Sequence, residues 1–349
     1  MKRHHEVPFP VLIGDLGGTN ARFALVHDAV SEIEALPVVH TADFADIEEA
    51  IERVVLAGAS RPPRSAVIAV AGPIRSERIT FTNARWVVEP RRLVARFGLE
   101  DLVLVNDFEA QSLALPGLTG ADLLPIGGAP AGERFGTRVA LGPGTGLGAA
   151  ALLHARGTWV PVASEAGHVD LGPVDARDLA LWPHLERPHG RVSAETLICG
   201  HGLLNLYRAI AAADGRPAPL DDPAAVSHAG MAGEGMAGSD PAAVEAVERF
   251  AIYLGRLAGD LALTFLARGG VFIGGGIAPK IAPVLAAGGF RAAFEAKEPH
   301  RALLETIPTA IIVHPSPAFV GLTAFARAQE KFGVELAGRH WRAGGRSAG

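Results

Sequence analysis

Cysteine is nearly absent from the 349 residues, with Cys199 the single one. No intramolecular disulfide can form, and a Cys₂His₂ or Cys₄ zinc site is excluded. A chain built this way fits a reducing compartment. Lysine is scarce too, at positions 2, 280, 297 and 331. None of these follows a G-x-x-x-x-G-K-[ST] loop, so a Walker-type NTPase is excluded. There is no basic surplus: 32 Lys and Arg stand against 37 Asp and Glu, a net charge of −5. That speaks against nucleic acid or an anionic membrane as partner. It leaves small phosphate ligands open, because glycine-rich backbone holds phosphate without net positive charge. Long apolar runs are missing as well. Val139 to Leu153, the longest glycine-rich uncharged stretch, carries four glycines and a proline. It is too short and broken for a spanning helix of about 20 residues. The start, MKRHHEVPFPVLIGD, is interrupted by Pro8, Pro10 and Asp15 and makes a poor signal peptide. A soluble cytoplasmic protein is expected.

What is present is an ordinary globular balance, 49% apolar and 20% charged, with 42 glycines and 25 prolines for tight loops. The length suggests two domains. Residues 11–26, VLIGDLGGTNARFALV, read as strand, glycine turn, strand. A helix is expected over 45–58, a buried strand over 65–72 ended by Gly72-Pro73, a helix over 90–98, a strand over 102–106 and a helix over 108–115. Alternating buried strands and helices predict an α/β fold with a mainly parallel sheet. A second cycle begins at Thr137. VALG-PGTGLG-AAALL repeats the shape of VLIG-DLGGTN-ARFALV at an offset of 128 residues, which suggests a duplicated unit. Ser193 caps a helix expected over 194–199, the Gly200-His201-Gly202 segment reads as a break, and 203–213 as a second helix. Residues 215–240, with GMAGEGMAG, read as a mobile loop. A long helix is expected over 241–267, then a buried strand entering a triple-glycine turn in GGVFIGGGIAP. From Gly333 the chain reads as a frayed, glycine-rich tail.

Three glycine turns, each ending an apolar strand, are what a nucleotide site needs. The string GTGLGA matches a dinucleotide fingerprint, but a hairpin rather than a helix follows, which argues against a nicotinamide site. In DLGGTN, Gly17 and Gly18 permit close backbone approach to an anion, and Thr19 and Asn20 add side-chain donors. Asp15 could hold hydrated Mg²⁺. Taken alone, DLGG is equally well a hairpin turn. Arg22 reads as lying on the exposed face of that hairpin. Asp107 stands at the carboxyl end of its strand, where ligands bind in open α/β sheets, though Asn106-Asp107 is also a common helix cap. Glu165 and His168 lie three positions apart, and Glu195 starts a helix, where an acid is favoured by the helix dipole in any case. His168 is not read as a metal ligand, because no second His or Cys has suitable spacing.

The ordered set D-L-G-G-T-N-A-R, V-N-D-F, G-P-G-T-G-L-G, S-E-A-G-H-V-D, S-A-E and F-I-G-G-G-I resembles the bacterial-type glucokinases, the non-zinc hexokinase-related family of the actin/Hsp70-like ATPase superfamily. The resemblance runs from Val11 to Ala328. It implies two α/β domains of the ribonuclease-H-like, actin-type fold with ATP and sugar in the cleft between them. The small domain is expected over 1–116 plus 318–331 and the large one over 117–317, with 332–349 a flexible tail. The implied reaction is phosphorylation of D-glucose by ATP to glucose 6-phosphate, feeding glycolysis. Asn106, Asp107, Glu165, His168 and Glu195 would hold the glucose hydroxyls, with Asp107 the general base. Mg²⁺-ATP would lie across Asp15 (to the metal through water), Gly17, Gly18, Thr19, Asn20, Gly144, Thr145 and Gly146, with adenosine near Gly274, Gly275 and Gly276. A homodimer is implied. Two positions depart from the family pattern: Ala166, where glycine is expected, and His201, where proline is frequent. Alternatives are a kinase for another hexose, a non-catalytic sugar-sensing regulator, or a filament or chaperone ATPase.

Overall fold

A computed structural model describes residues 7–59, 61–72, 74, 77–81, 85–232 and 238–344. Pro73 and residues 233–237 of the GMAGEGMAG stretch lie outside them. The chain forms two compact units. The first takes the chain through Leu118, Leu152–Ala163, and the chain from Pro315 on; the second takes Thr119–Ala151 and Ser164–His314. These bounds differ from the expected ones mainly in giving 152–163 and the C-terminal segment to the first unit.

In the first unit, β1 (Val11–Leu16) and β2 (Asn20–Val26) form the expected hairpin. Next come β3 (Ser65–Val70), parallel to β1, and β4 (Asp101–Asn106), parallel to β3. All six residues of β3 are buried, the mark of a parallel strand covered on both faces. The helix expected over 45–58 is one α-turn, Ile47–Ala50, followed by a wider π-type turn, Ile51–Leu56. Helix α1 (Pro90–Phe97) ends at Gly98 in the left-handed conformation, a standard C-terminal stop. Helix α2 (Asp107–Ala114) leaves β4 directly. The helix Pro317–Arg327 packs on α2 so closely that Gly321 lies against the Ala110 carbonyl.

The expected tail is instead part of the sheet. His340–Arg342 pairs antiparallel with β4, Trp341 is buried in the core cluster, and Leu104 N–H donates to Arg339 O at 2.9 Å. His340 Nε2 lies 2.6 Å from Asp101 Oδ1, with both side chains buried, and Arg342 donates to the same oxygen. The polar composition misled because its polar groups are spent on partners far away in sequence.

The second sheet repeats the plan. Its strands are β5 (Leu123–Pro125), β6 (Arg138–Pro143), β7 (Leu147–Ala155), β8 (Thr158–Ser164), β9 (Gly270–Ile273) and β10 (Thr309–Ile312). Their order is β8-β7-β6-β9-β10-β5, with β9 parallel to β6 and β10 parallel to β9. The first sheet runs Glu34–Ala35, β2, β1, β3, β4, then His340–Arg342. Each sheet is therefore a hairpin followed by two parallel strands, closed by an antiparallel edge strand. The duplication suggested by the two glycine loops is present in strand order.

Helix α3 (Ala176–Leu181) is followed by α4 (Ala194–Leu197) and α5 (Gly200–Ala213). The Gly200-His201-Gly202 segment is thus the first turn of α5 rather than a break. Cys199 caps it, its Sγ accepting Gly202 N–H at 3.3 Å. Part of the expected mobile loop is also helical: α6 (Pro223–Met231) is capped by Asp222, whose carboxylate accepts Ala225 N–H. Proline at the first helical position and an Asp cap together favour that start. The long α7 (Pro241–Phe265) packs on α8 (Gly289–Glu295) through Gly255 and Gly259, where a Cβ would strike the Phe290 and Phe294 carbonyls.

Candidate active site

In the first unit, the loop between β1 and β2 is tied down from one side. Gly17 N–H donates to Asn20 O at 2.9 Å. Thr41 donates its N–H to Thr19 O at 3.0 Å and its hydroxyl to Gly18 O at 2.9 Å and Thr19 O at 3.1 Å. With the Gly18 and Thr19 carbonyls occupied and the Gly17 amide spent within the loop, the other loop amides are what remains to meet an anion. Thr41 is a neighbour of the loop that sequence reasoning missed, because nothing in VVHTAD points back twenty residues. Asp15 sits opposite Arg22 in the hairpin register, with the guanidinium 3.7 Å from its carboxylate. Burial pushes the Asp15 carboxyl above its ordinary range, and Arg22 opposes that. The Arg22 side chain keeps substantial exposure, 39%, while reaching Asp15. Asn20 Oδ1 is buried with no hydrogen-bond partner among the described residues.

At the end of β4 the two readings of Asn106-Asp107 separate. Asn106 is the helix cap. Its Oδ1 accepts the N–H groups of Phe108 and Glu109 at 3.0 and 3.3 Å, and Glu109 returns a carboxylate to the Asn106 N–H at 3.0 Å. This reciprocal box fixes the first turn of α2. Asp107 is not needed as a cap and occupies the first helical position. Burial raises its pKa to about 6, the nearby Asp15 charge adds to the rise, and hydrogen bonds from the helix N-terminus work against it. A carboxylate tuned toward neutrality is suited to accept a proton at physiological pH.

In the second unit, four predicted pieces converge. Glu195, in the first turn of α4, accepts the Leu147 N–H of the second glycine loop at 2.8 Å, and a Cβ on Gly146 would lie 2.7 Å from the same oxygen. The turn bearing Glu165 and His168 closes on itself through His168 N–H to Glu165 O at 2.9 Å. It packs on the same loop, where Gly167 leaves no room for a side chain beside Leu147 O. Ala194 N–H to Val169 O joins it to α4. Glu165 and His168 are exposed, while Glu195 is half-buried. Ala166 causes no distortion, for it is not among the described non-glycine residues with positive φ. His201 lies on the exposed side of α5, 3.0 Å from Glu186.

The second loop is closed by Gly144 N–H to Gly146 O at 2.8 Å, with Thr145 exposed at its tip. Gly200 N–H, the first of α5, donates to Gly144 O at 2.9 Å. This brings the positive end of a 14-residue helix to the loop, a feature lost when Gly-His-Gly is read as a break. The third loop rests on the second. Gly274 N–H donates to Leu141 O at 2.8 Å, and Gly275, at φ +77°, passes where a Cβ would be 2.3 Å from Pro143 O. Gly275 and Gly276 are exposed.

Duplicated hairpin-and-parallel-strand sheets bearing glycine loops are the plan of the actin-like ATPase fold, and a desolvated acid at a strand end suits a phosphotransferase of that fold. The comparisons agree. The family model described as glucokinase matches residues 12–329. The glucokinase of Rhizobium meliloti (strain 1021) is 53% identical over 338 residues, covering 97% of this chain and 98% of the relative. That of Chelativorans sp. (strain BNC1) is 55% identical over 340 residues, covering 97% and 98%. Among solved structures, a glucokinase from an Antarctic psychrotroph superposes with a TM-score of 0.80 at 32% identity, covering 91% of this chain and 98% of that one. The chain belongs to the glucokinase family, whose members use ATP as phosphoryl donor. Among the described residues no helix is long and apolar enough to cross a membrane.

Proposed function

We propose that the protein transfers the γ-phosphoryl group of ATP to the 6-hydroxyl of D-glucose, with Asp107 as general base. The carrying observation is Asp107 itself. It stands at the head of α2 with its carboxyl desolvated and raised to about 6, so that it is ionised at neutral pH yet basic enough to take the hydroxyl proton. Asn106, Glu165, His168 and Glu195 join Asp107 in holding the sugar hydroxyls. Asn106 contributes Nδ2, since its Oδ1 is spent on the cap. Glu195 contributes the carboxylate oxygen that is not on Leu147. Such polar contacts reject sugars lacking a hydroxyl, because the site's own groups would be left unpaired.

Gly17, Gly18, Thr19 and Asn20 of the first loop and Gly144, Thr145 and Gly146 of the second hold the phosphates, and Gly274, Gly275 and Gly276 lie by the adenosine. Mg²⁺ would be held by Asp15 through water. One carboxylate at the end of β1, on the hairpin that also carries the unpartnered Asn20 Oδ1, fits an ion that keeps most of its waters and takes the rest of its ligands from phosphate. The ion supplies charge neutralisation on the transferring phosphoryl group. Use of ATP supports a cytoplasmic location, and the family resemblance supports a homodimer, which light scattering on the purified protein tests.

The test is ADP release measured with and without glucose, then across a panel of hexoses, for the parent and Asp107→Asn. Glucose-dependent release that is lost in the folded variant supports the proposal. Near-normal turnover by D107N overturns the assignment of the base. Release without sugar would make the protein an ATPase, preference for another hexose would move the substrate, and glucose binding without turnover would make it a sensor.

A further inference from the structure

The C-terminal segment reaches the catalytic helix at one point that the proposed mechanism does not use. Arg339 Nη1 lies 3.0 and 2.7 Å from the two carboxylate oxygens of Glu109, whose side chain is 4% exposed. Glu109 is the residue that returns the capping bond to the Asn106 N–H. The backbone of Arg339 is itself fixed to β4, through Leu104 N–H to Arg339 O. A closed circuit results: β4, the Arg339 backbone, its guanidinium, Glu109, and back to β4 at Asn106. Asp107 is the next residue. A helix of eight residues is not stable on its own, and a buried carboxylate is costly without a charged partner. Without Arg339, Glu109 would turn toward water and release the Asn106 amide.

We infer that Arg339 is a positioning residue for phosphoryl transfer: by holding Glu109 in the capping box it fixes the first turn of α2 and with it the Asp107 carboxylate. The inference rests on the assignment of Asp107 as base. A purely structural role would make Arg339 one more staple of the C-terminal strand. Arg342 is the control for that role. It lies on the strand that begins one residue after Arg339 and donates to Asp101 at 3.1 Å, at the opposite end of β4 from Asp107.

The experiment compares full-length Arg339→Gln, Arg339→Lys and Arg342→Gln in thermal melts and in steady-state kinetics with both substrates varied. R339Q is expected to lower kcat about tenfold, since displacements of an ångström at a reacting group cost up to about a hundredfold. Its KM for ATP should stay within about twofold, because the glycine loops are untouched. R339K, which keeps a charge near Glu109, should recover part of kcat, and R342Q should lose stability while keeping kcat. The inference is overturned if R339Q keeps parental kcat, or if R339Q and R342Q lose kcat in parallel with melting temperature. Should R339Q fail to fold, R339K decides alone: a kcat equal to the parent's overturns the inference, and a reduced kcat with unchanged KM for ATP supports it. D107N separates the two levels. If D107N turns over normally, the base assignment has failed. If D107N is inactive and R339Q normal, only the positioning role has.

Discussion

Gly321→Ala sets two rules of helix energetics against each other. Gly321 lies inside the helix Pro317–Arg327. By intrinsic propensity alone, alanine there should stabilise the helix by about 1 kcal/mol. The packing predicts the opposite. A Cβ at this position would lie 2.0 Å from Ala110 O, 2.8 Å from Ala114 N and 3.0 Å from Leu113 Cβ. To restore the 3.4 Å of ordinary contact, the two helices must part by about 1.4 Å. The obstructing atoms are backbone in the middle of α2, so no rotamer change relieves them. Overpacking of this kind costs about 1–3 kcal/mol, and occasionally more. The net effect is destabilisation by up to about 2 kcal/mol, a fall in melting temperature of a few degrees. Because α2 must move as a body and Asp107 is its first residue, kcat should drop by about tenfold or more in protein that remains folded. Calorimetry and steady-state kinetics on G321A measure both. A variant that melts at or above the parent with unchanged kcat would refute the argument, showing that the close approach of the two helices is neither tight nor coupled to the base.

The pH dependence follows from Asp107. The base works when ionised, so kcat/KM should fall as pH drops through about 6. The same shift carries a stability prediction. A carboxyl raised on folding penalises the native state where it is ionised, so stability falls as pH rises from the unfolded value near 3.8 to about 6. D107N should therefore be inactive yet melt higher than the parent at pH 8, by thermal scan. Glu195→Ala should raise KM for both substrates, because it removes a polar group and also the brace on Leu147 N–H; Glu195→Gln, which can still accept that bond, should affect glucose more than ATP in initial-rate kinetics. Asp178, 1% exposed, accepts Arg249 and Tyr253 at 2.6 Å each. Asp178→Ala leaves Arg249 without that partner and should cost about 3–5 kcal/mol in denaturant unfolding, with KM unchanged in the folded fraction.

Legibility in the sequence followed the range of the interactions. The β1–β2 and β6–β7 hairpins were readable because apolar strands and glycine turns are local signals, and their likeness announced the matching strand orders. Asn106 and Asp107 could not be separated into cap and candidate base from VNDF alone, since both residue types serve either role; the reciprocal bond from Glu109 shows that Asn106 is the cap. The start of α5 was missed because its cap is a cysteine thiol and its first turn holds two glycines, all signals that ordinarily mean the reverse. Thr41 and the segment Arg339–Arg342 were illegible for one reason. Their partners are Gly18 and Thr19 in one case and Asp101, Leu104 and Glu109 in the other, and no local pattern encodes a bond across so much chain.

The return of the C-terminal segment bears on the order in which the enzyme becomes competent. During synthesis β1 to β4 and α2 emerge first, and domains ordinarily fold as they appear. Here the helix that packs on α2, the strand that closes the sheet beside β4, and the arginine that grips Glu109 all leave the ribosome after the whole second unit has been made. The nascent chain can build its glycine loops early, before the contact of Arg339 with Glu109 exists. A chain cut short before Arg339 would retain all three glycine loops while lacking that contact. On the positioning role inferred for Arg339, synthesis itself is a timer: phosphoryl transfer waits for the segment around Arg339 to be made.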